Sequence, residues 1–232
     1  MSTNVRKIRV EKNVLKHAEG SCMFQMGNTK VLCVATVSKS VPPFAEERGE
    51  GWVTAEYSML PRAGKERSSR QRLASSGRTK EISRLVGRAL RAVVDLKKLY
   101  GFSVMIDCDV IQADGGTRTT SVNGAFIVLV QALRAMVKSG ELKKLPVRDY
   151  IAAVSAGYVD GKPVLDLCAK EDNNAEVDMN FVITGHGKFV EVQGTGEKNA
   201  FTRAQLNYML NLARKGVRQI IKVQKRIAGK LR

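Results

Sequence analysis

Between residues 82 and 94 the apolar residues Ile82, Leu85, Val86, Ala89, Leu90, Val93 and Val94 recur at offsets of three and four. That spacing places them on one stripe of an α-helix, with Arg84, Arg88 and Arg91 turned away from most of it. Such a stripe must be buried against another layer. Strand-like runs lie on both sides. "TKVLCVATVS" (29–38) is β-branched and apolar, "GWVTAEYSML" (51–60) alternates, and "FSVMIDCDVIQ" (102–112) reads as a third strand with Asp107 and Asp109 on one face. Residues 120–140 predict a largely buried helix, stopped by Gly140 just past its end. Further strands are expected at 150–158, 163–167, 177–184 and 188–193. Thr202 and Gln205 form a T-x-x-Q capping box ahead of a long amphipathic helix bearing Leu206, Met209, Leu210, Ala213, Val217, Ile220 and Ile221. Strands and helices alternate with no linker, repeat or low-complexity segment between them. The expected fold is α+β or α/β, a single domain over residues 1–232 with mixed sheets and packed helices.

The chain has 232 residues, 44% of them hydrophobic, enough for a sizeable core. Its charge is unusual: 39 Lys and Arg against 22 Asp and Glu leave a net +17. That excess favours a polyanionic partner, nucleic acid ahead of an anionic membrane surface, although basic residues also serve solubility. No run approaches the ~18 consecutive apolar residues of a membrane span, so no membrane is expected. The N-terminal "MSTNVRKIRVEKNVLKHAEGS" lacks the pattern of a secretory signal. Cys22, Cys33, Cys108 and Cys168 form no C-x-x-C pair and, with His17 and His186 far apart, give no zinc spacing. They read as reduced thiols, mostly buried, of a cytoplasmic protein.

Four stretches invite chemistry. In "QADGGTRTTS" (112–121), Gly115, Gly116, Thr117 and Arg118 fall between a strand and a helix. Amides at a helix start, a hydroxyl and a guanidinium suit a phosphate; a tight turn with a helix cap explains the same residues. The stretch matches neither G-x-G-x-x-G nor the Walker pattern. In "EDNNAEVD" (171–178), Asp172 and Asp178, with Glu171 and Glu176 nearby, could hold Mg²⁺ or carry a proton, or form a solvated acidic turn. Asp107 and Asp109 are further candidate ligands, or ordinary strand residues. Residues 61–79 carry Arg62, Lys65, Arg67, Arg70, Arg72 and Arg78 with one acid and almost nothing apolar. They are expected to form a long exposed loop, suited to an RNA backbone or simply solvated. The end of the last helix, 214–232, has eight bases and no acid and reads most simply as an exposed charged face.

Taken in order, "KHAEGS" (16–21), "GNTKVLC" (27–33), "GWVTAEYSMLPR" (51–62), "GRTKEISRLVGRALRAVVDL" (77–96), "DCDVIQADGGTRT" (107–119), "EDNNAEVDMN" (171–180) and "EVQGT" (191–195) resemble the ribonuclease PH family over residues 6–228. The resemblance implies a fold like the second domain of ribosomal protein S5. It implies a phosphorolytic 3′→5′ exoribonuclease, also called a tRNA nucleotidyltransferase. Such an enzyme uses inorganic phosphate to trim residues beyond the CCA end of precursor tRNA, and other RNA 3′ ends such as those of rRNA, releasing nucleoside diphosphates. It implies a homo-hexamer built as a trimer of dimers. Carried over residue by residue, phosphate binding falls on Arg78, Gly116, Thr117 and Arg118, and Mg²⁺ binding and acid catalysis on Asp172 and Asp178. Arg62, Arg67, Arg70 and Arg72 are expected to contact RNA. The chain departs from the family in lacking an opening R-x-D-G-R, in Lys80 and Ser83 where Met and Gln are common, and in Asn173–Asn174 where Ser-Ala is common. A related exosome ring subunit and a catalytically silent RNA-binding ring are the alternatives.

Overall fold

Residues 4–231 are described in a computed structural model; residues 1–3 and 232, included in the expected domain limits, lie outside the described residues. Nine strands are described: β1 Ile8–Lys12, β2 Gly20–Met26, β3 Thr29–Ser38, β4 Trp52–Met59, β5 Ser103–Gln112, β6 Ile151–Val159, β7 Lys162–Leu165, β8 Val177–Thr184 and β9 Phe189–Gly196. The helices are α1 Pro43–Glu46, α2 Arg70–Ser75, α3 Gly77–Arg91, α4 Thr117–Ser139, α5 Ala169–Asn174 and α6 Arg203–Ala228. One sheet has the order β1-β2-β3-β5-β4, the other β7-β6-β8-β9. All neighbours are antiparallel except β4 and β5, which run parallel and need the crossover that α3 supplies.

The helical stripe behaves as its spacing requires. Ile82, Leu85, Val86, Ala89 and Leu90 are buried in α3, which packs on β4. Val93 and Val94 are buried too, but in the turn after the helix ends at Arg91. Helix α4 contacts β2, β3 and β5 on one side and β6 on the other, so it is covered nearly all round. By length and composition it could cross a membrane, yet 78% of its most apolar window is buried inside the molecule: it is the core helix. Buried Asn123 joins it to β6, accepting from the Ala153 N–H at 2.8 Å and donating to the Ala153 carbonyl at 2.9 Å. One cluster of buried apolar side chains extends through both sheets.

Several expectations need correction. Residues 61–79 are not one long loop. Ser69 accepts a hydrogen bond from the Arg72 N–H at 3.2 Å and starts α2, and Ser76 accepts one from the Thr79 N–H at 3.1 Å and starts α3. Two serine caps convert half of a polar stretch into helix. Arg70, Arg72 and Arg78 therefore stand on helices. Strands β1 and β2, unanticipated, form a hairpin partner for β3. The acidic stretch begins as the short helix α5 rather than as a turn. The capping box at Thr202 and Gln205 is present, with the Gln205 N–H donating to Thr202 Oγ1 at 3.2 Å. Cys22, Cys33 and Cys108 are buried and Cys168 half-buried, all as free thiols. The neighbouring thiols of Cys108 and Cys22, and burial, hold the Cys33 thiol well above its usual range.

Candidate active site

Gly115 and Gly116 both take positive φ, +76° and +64°, the left-handed region that glycine enters without penalty. This sharp reversal delivers the chain from β5 into α4 three residues earlier than sequence periodicity indicates, so Thr117 and Arg118 occupy the first turn of the helix. The first-turn amides have no partners within the helix and carry the positive end of its dipole. Gly115 has no room for a side chain: a Cβ would lie 2.5 Å from the backbone of Leu167 and Cys168. The reversal is therefore pressed against the segment that opens α5.

That contact brings distant residues together. A cavity of about 50 Å³ is lined by Arg78 of α3, by Gly116, Thr117 and Arg118, and by Asp172 of α5 and Asp178 of β8. Ser155 of β6 and Asn180 of β8 complete its wall. A cleft of about 500 Å³ that shares Arg78, Arg118, Asp172 and Asp178 also includes Glu197 and Lys198. Six positions picked out in the sequence, spread over a hundred residues, thus face one space.

The cavity is divided by charge. Arg118 Nη1 donates to Glu81 Oε1 at 3.1 Å and, closely, to Gln193 Oε1, while Gln193 Nε2 donates to Glu81 Oε1 at 3.1 Å. The guanidinium is held in place before any ligand arrives. Beneath Thr117 lies Tyr57, whose buried hydroxyl is 2.9 Å from Thr117 Oγ1. Burial pushes the Tyr57 phenol up, against the opposing pull of Thr117, Arg78 and Arg118. Opposite the arginines, Asp178 is half-buried. Burial first, and then the charge of Asp172, raise its carboxyl to about 6, while Arg118 pulls the other way. Its Oδ1 is buried with no hydrogen-bond partner, and its Oδ2 has only a long contact, 3.4 Å, from Asn180 Nδ2. An ionised, buried, unpartnered carboxylate oxygen calls for a proton or a cation. Two facing carboxylates fit a small divalent cation such as Mg²⁺, which takes one or two carboxylates and completes its shell with water and substrate phosphate. Among the described residues no group of three or more His, Cys, Asp or Glu is arranged as a metal site.

The other candidates lie elsewhere. Glu171 Oε2 accepts the Cys168 N–H at 2.8 Å and caps α5; Glu176 Oε1 accepts the Gly161 N–H at 2.7 Å and ties a turn. Asp107 and Asp109 stay on β5 beside Glu56, outside the cavity, where burial and that neighbouring acid push both carboxyls up. Arg62 folds back onto the carbonyls of Gly64 and Lys65, at 2.9 Å for the first. Arg67, Arg70 and Arg72 are exposed, and none of the four lines the cavity. The sequence reading missed Tyr57, Glu81, Ser155, Asn180 and Gln193. Each is a single polar residue in an ordinary strand or helix pattern, and only tertiary contact gives it a place.

Comparison with known proteins identifies the family. The model of domain 1 of the 3′ exoribonuclease family matches residues 4–134, and that of domain 2 of the same family matches residues 149–216. The ribonuclease PH of Bacillus cereus (strain G9842) is 53% identical over 230 residues, covering 98% of this chain and 94% of that protein. Among solved structures, a chain of the Archaeoglobus fulgidus exosome with RNA bound to the active site has a TM-score of 0.80 at 21% identity, covering 95% and 89%. Rice (Oryza sativa) Rrp46 has a TM-score of 0.79 at 16% identity, covering 97% and 96%. These two structures share the fold. The Bacillus relative shares the sequence as well, from one end of the chain to the other. Arg78 and Arg118 fall in the first match and both cavity aspartates in the second, and the chain belongs to the 3′ exoribonuclease family.

Proposed function

We propose that this protein is a ribonuclease PH: a phosphorolytic 3′→5′ exoribonuclease that trims precursor tRNA beyond its CCA end, and other RNA 3′ ends. One observation carries the reading. Arg78, Arg118 and the start of α4 face Asp172 and Asp178 across a cavity of about 50 Å³. That is room for a small ion and far below the roughly 300 Å³ at which pockets for drug-sized ligands begin. The cationic wall suits inorganic phosphate, and the cleft sharing its residues suits the RNA terminus.

In this reading phosphate is the nucleophile, and the chain needs no nucleophile of its own. Arg78 and Arg118 grip phosphate oxygens, with the Gly116 amide and Thr117 hydroxyl as further donors, so the attacker is held in line and its repulsion with the scissile diester is reduced. A phosphate oxygen forms a bond to the terminal phosphorus, and the bond from that phosphorus to the 3′ oxygen of the preceding nucleotide breaks. The released 3′ oxygen takes a proton, and a nucleoside 5′-diphosphate departs. Asp178, poised near pH 6, can hold that proton. Alternatively, Mg²⁺ held by Asp172 and an ionised Asp178 would supply neutralisation of the charge developing on the leaving 3′ oxygen, in place of the proton. Both products keep a phosphate ester or anhydride, so the reaction runs in both directions. We further propose a homo-hexameric ring, a trimer of dimers, in which the exposed Arg62, Arg67, Arg70 and Arg72 contact the body of the RNA.

The test is to incubate purified protein with 3′-extended tRNA, with and without phosphate. Nucleoside diphosphates are expected, and only with phosphate. Nucleoside monophosphates released in phosphate-free buffer overturn the reading.

A further inference from the structure

Arg6 lies outside the cavity, yet it binds the glycine reversal from behind. Its Nη1 donates to the Asp114 carbonyl at 2.7 Å, and its Nη2 reaches toward the Gly115 carbonyl at 3.4 Å. The same Nη2 pairs with Asp166 Oδ1 at 2.7 Å, and the Arg6 backbone N–H donates to Asp166 Oδ2 at 2.8 Å. The Asp166 side chain is fully buried and that of Arg6 is 17% exposed. Asp166 adopts a positive φ of +59°, uncommon for a residue other than glycine. Backbone held in a sparsely populated region tends to sit where function requires it. Thr29, the first residue of β3, grips the reversal, donating to the Gly115 carbonyl at 2.6 Å and accepting the Asp114 N–H at 2.9 Å.

Peptide planarity turns these contacts into an argument about the site. A trans peptide points its N–H opposite to its C=O. The Gly115 carbonyl and the Gly116 N–H belong to one peptide. With that carbonyl drawn toward Thr29 and Arg6, the Gly116 N–H must point the other way, and Gly116 lines the cavity. A Cβ on Gly116 would lie 2.9 Å from Arg6 Nη2, so the guanidinium packs directly behind the reversal. We infer that Arg6, clamped by Asp166 and assisted by Thr29, is a positioning residue that aims the amides at the start of α4 into the phosphate site. The inference rests on the phosphorolytic reading above. Arg6 touches no reacting atom in this account; it sets the direction of the donors that do.

The test is steady-state trimming of 3′-extended tRNA at varied phosphate. Arg6→Gln removes the charge and shortens the side chain by two atoms, so the side-chain contacts to Asp166 and to the glycine reversal are both lost. It is expected to raise the KM for phosphate about tenfold, within the ~10²-fold that misplacement far from the chemistry can cause. The KM for RNA should stay within about twofold, since no RNA contact is assigned to Arg6. Arg6→Lys, which can still pair with Asp166, should recover much of the loss. Thr29→Val, nearly isosteric and uncharged, should raise the phosphate KM by about threefold. A merely structural role would lower the melting temperature without separating phosphate from RNA. An unchanged phosphate KM in Arg6→Gln, or an equal rise in both KM values, overturns the inference. If Arg6→Gln does not fold, Thr29→Val decides alone, and an unchanged phosphate KM in it is the overturning result. Arg118→Ala is the control. If it leaves the phosphate requirement unchanged, phosphate is bound elsewhere and the role of Arg6 falls with the site. If it raises the requirement while Arg6→Gln and Thr29→Val do not, only the role of Arg6 falls. Nucleoside monophosphates released without phosphate would instead sink the phosphorolytic reading.

Discussion

Residues 114–118 and residues 61–72 both carry arginine, and they are held in opposite ways. The first stretch is anchored by Arg6 and Thr29 through its carbonyls, pressed on the 167–169 backbone at Gly115, and supported beneath by Tyr57. Its Arg118 is fixed by Glu81 and Gln193. The second stretch is anchored at one point, where the carbonyl of buried Ala63 accepts the Ala113 N–H at 2.9 Å, and its polar side chains bind locally: Arg62 to its own loop carbonyls, Ser69 to the helix that it caps. Its remaining arginines are exposed, with Arg70 close enough to Asp109 of β5 to act on its carboxyl. The difference matches two tasks. Orienting a small anion for in-line attack needs donors fixed to within a fraction of an ångström, which buried, cross-linked backbone provides. Holding a long polyanion needs charge more than direction, and exposed side chains suffice.

The largest break in that contrast should come from the acidic wall. Asp178→Asn is expected to abolish turnover while leaving RNA binding intact, read by trimming and by RNA affinity. The same variant should gain stability. A carboxyl raised in the folded state to about 6, against about 3.9 unfolded, binds more protons when folded between those values. Its contribution is present below about pH 4 and lost as pH rises through 6. In metal-free buffer the Asn variant should therefore melt higher than wild type at pH 8, by on the order of 2 kcal/mol, with little difference at pH 4. A wild-type advantage at pH 8 would mean Asp178 is paired with a group not identified in the cavity.

The next effect is on the braced arginine. Arg118→Ala should raise the phosphate requirement by roughly 10²-fold, the scale of removing one preorganised donor from an electrostatic site. RNA affinity should change little. Normal trimming at limiting phosphate would show that phosphate is bound elsewhere. The smallest effect belongs to the exposed stretch. Replacing Arg67, Arg70 and Arg72 together should flatten the dependence of log affinity on log salt by roughly 0.7 to 0.9 for each lost phosphate contact. Phosphate dependence should not move. Parallel salt slopes for the triple variant and wild type would remove these residues from the RNA path and leave the basic end of α6 as the next candidate.

Where periodicity was long or apolar residues ran together, local sequence was sufficient. The stripe from Ile82 to Leu90 and the Thr202–Gln205 cap lie where spacing puts them, because a helix with one apolar face has few other ways to bury it. The strand at 177–184, buried on both faces, is marked by its apolar run at 181–183. Periodicity failed on short polar elements. Helix α2 depends on one serine hydroxyl, and α5, six residues with none buried, depends on a Glu171 cap and a packed neighbour. Strand β1 is half-exposed and alternates weakly, so its pairing with β2 had no local signal.

The site divides along the same line. Sequence alone determined that Gly115-Gly116-Thr117-Arg118 forms a turn into a helix with donors at its start, since positive φ and first-turn amides are local properties. It also determined that Asp172 and Asp178 are carboxylates near one another in the chain. Tertiary structure alone decided that these two groups face each other, that Arg78 joins them from another helix, and that Arg118 is held by Glu81 and Gln193. It alone buried an oxygen of Asp178 and left it without a partner, and it alone placed Arg6 behind the reversal, 108 residues away in sequence from the Asp114 carbonyl it holds. The reason is physical. Conformation is set by neighbours in the chain, whereas burial, field and the direction of a hydrogen bond are set by neighbours in space.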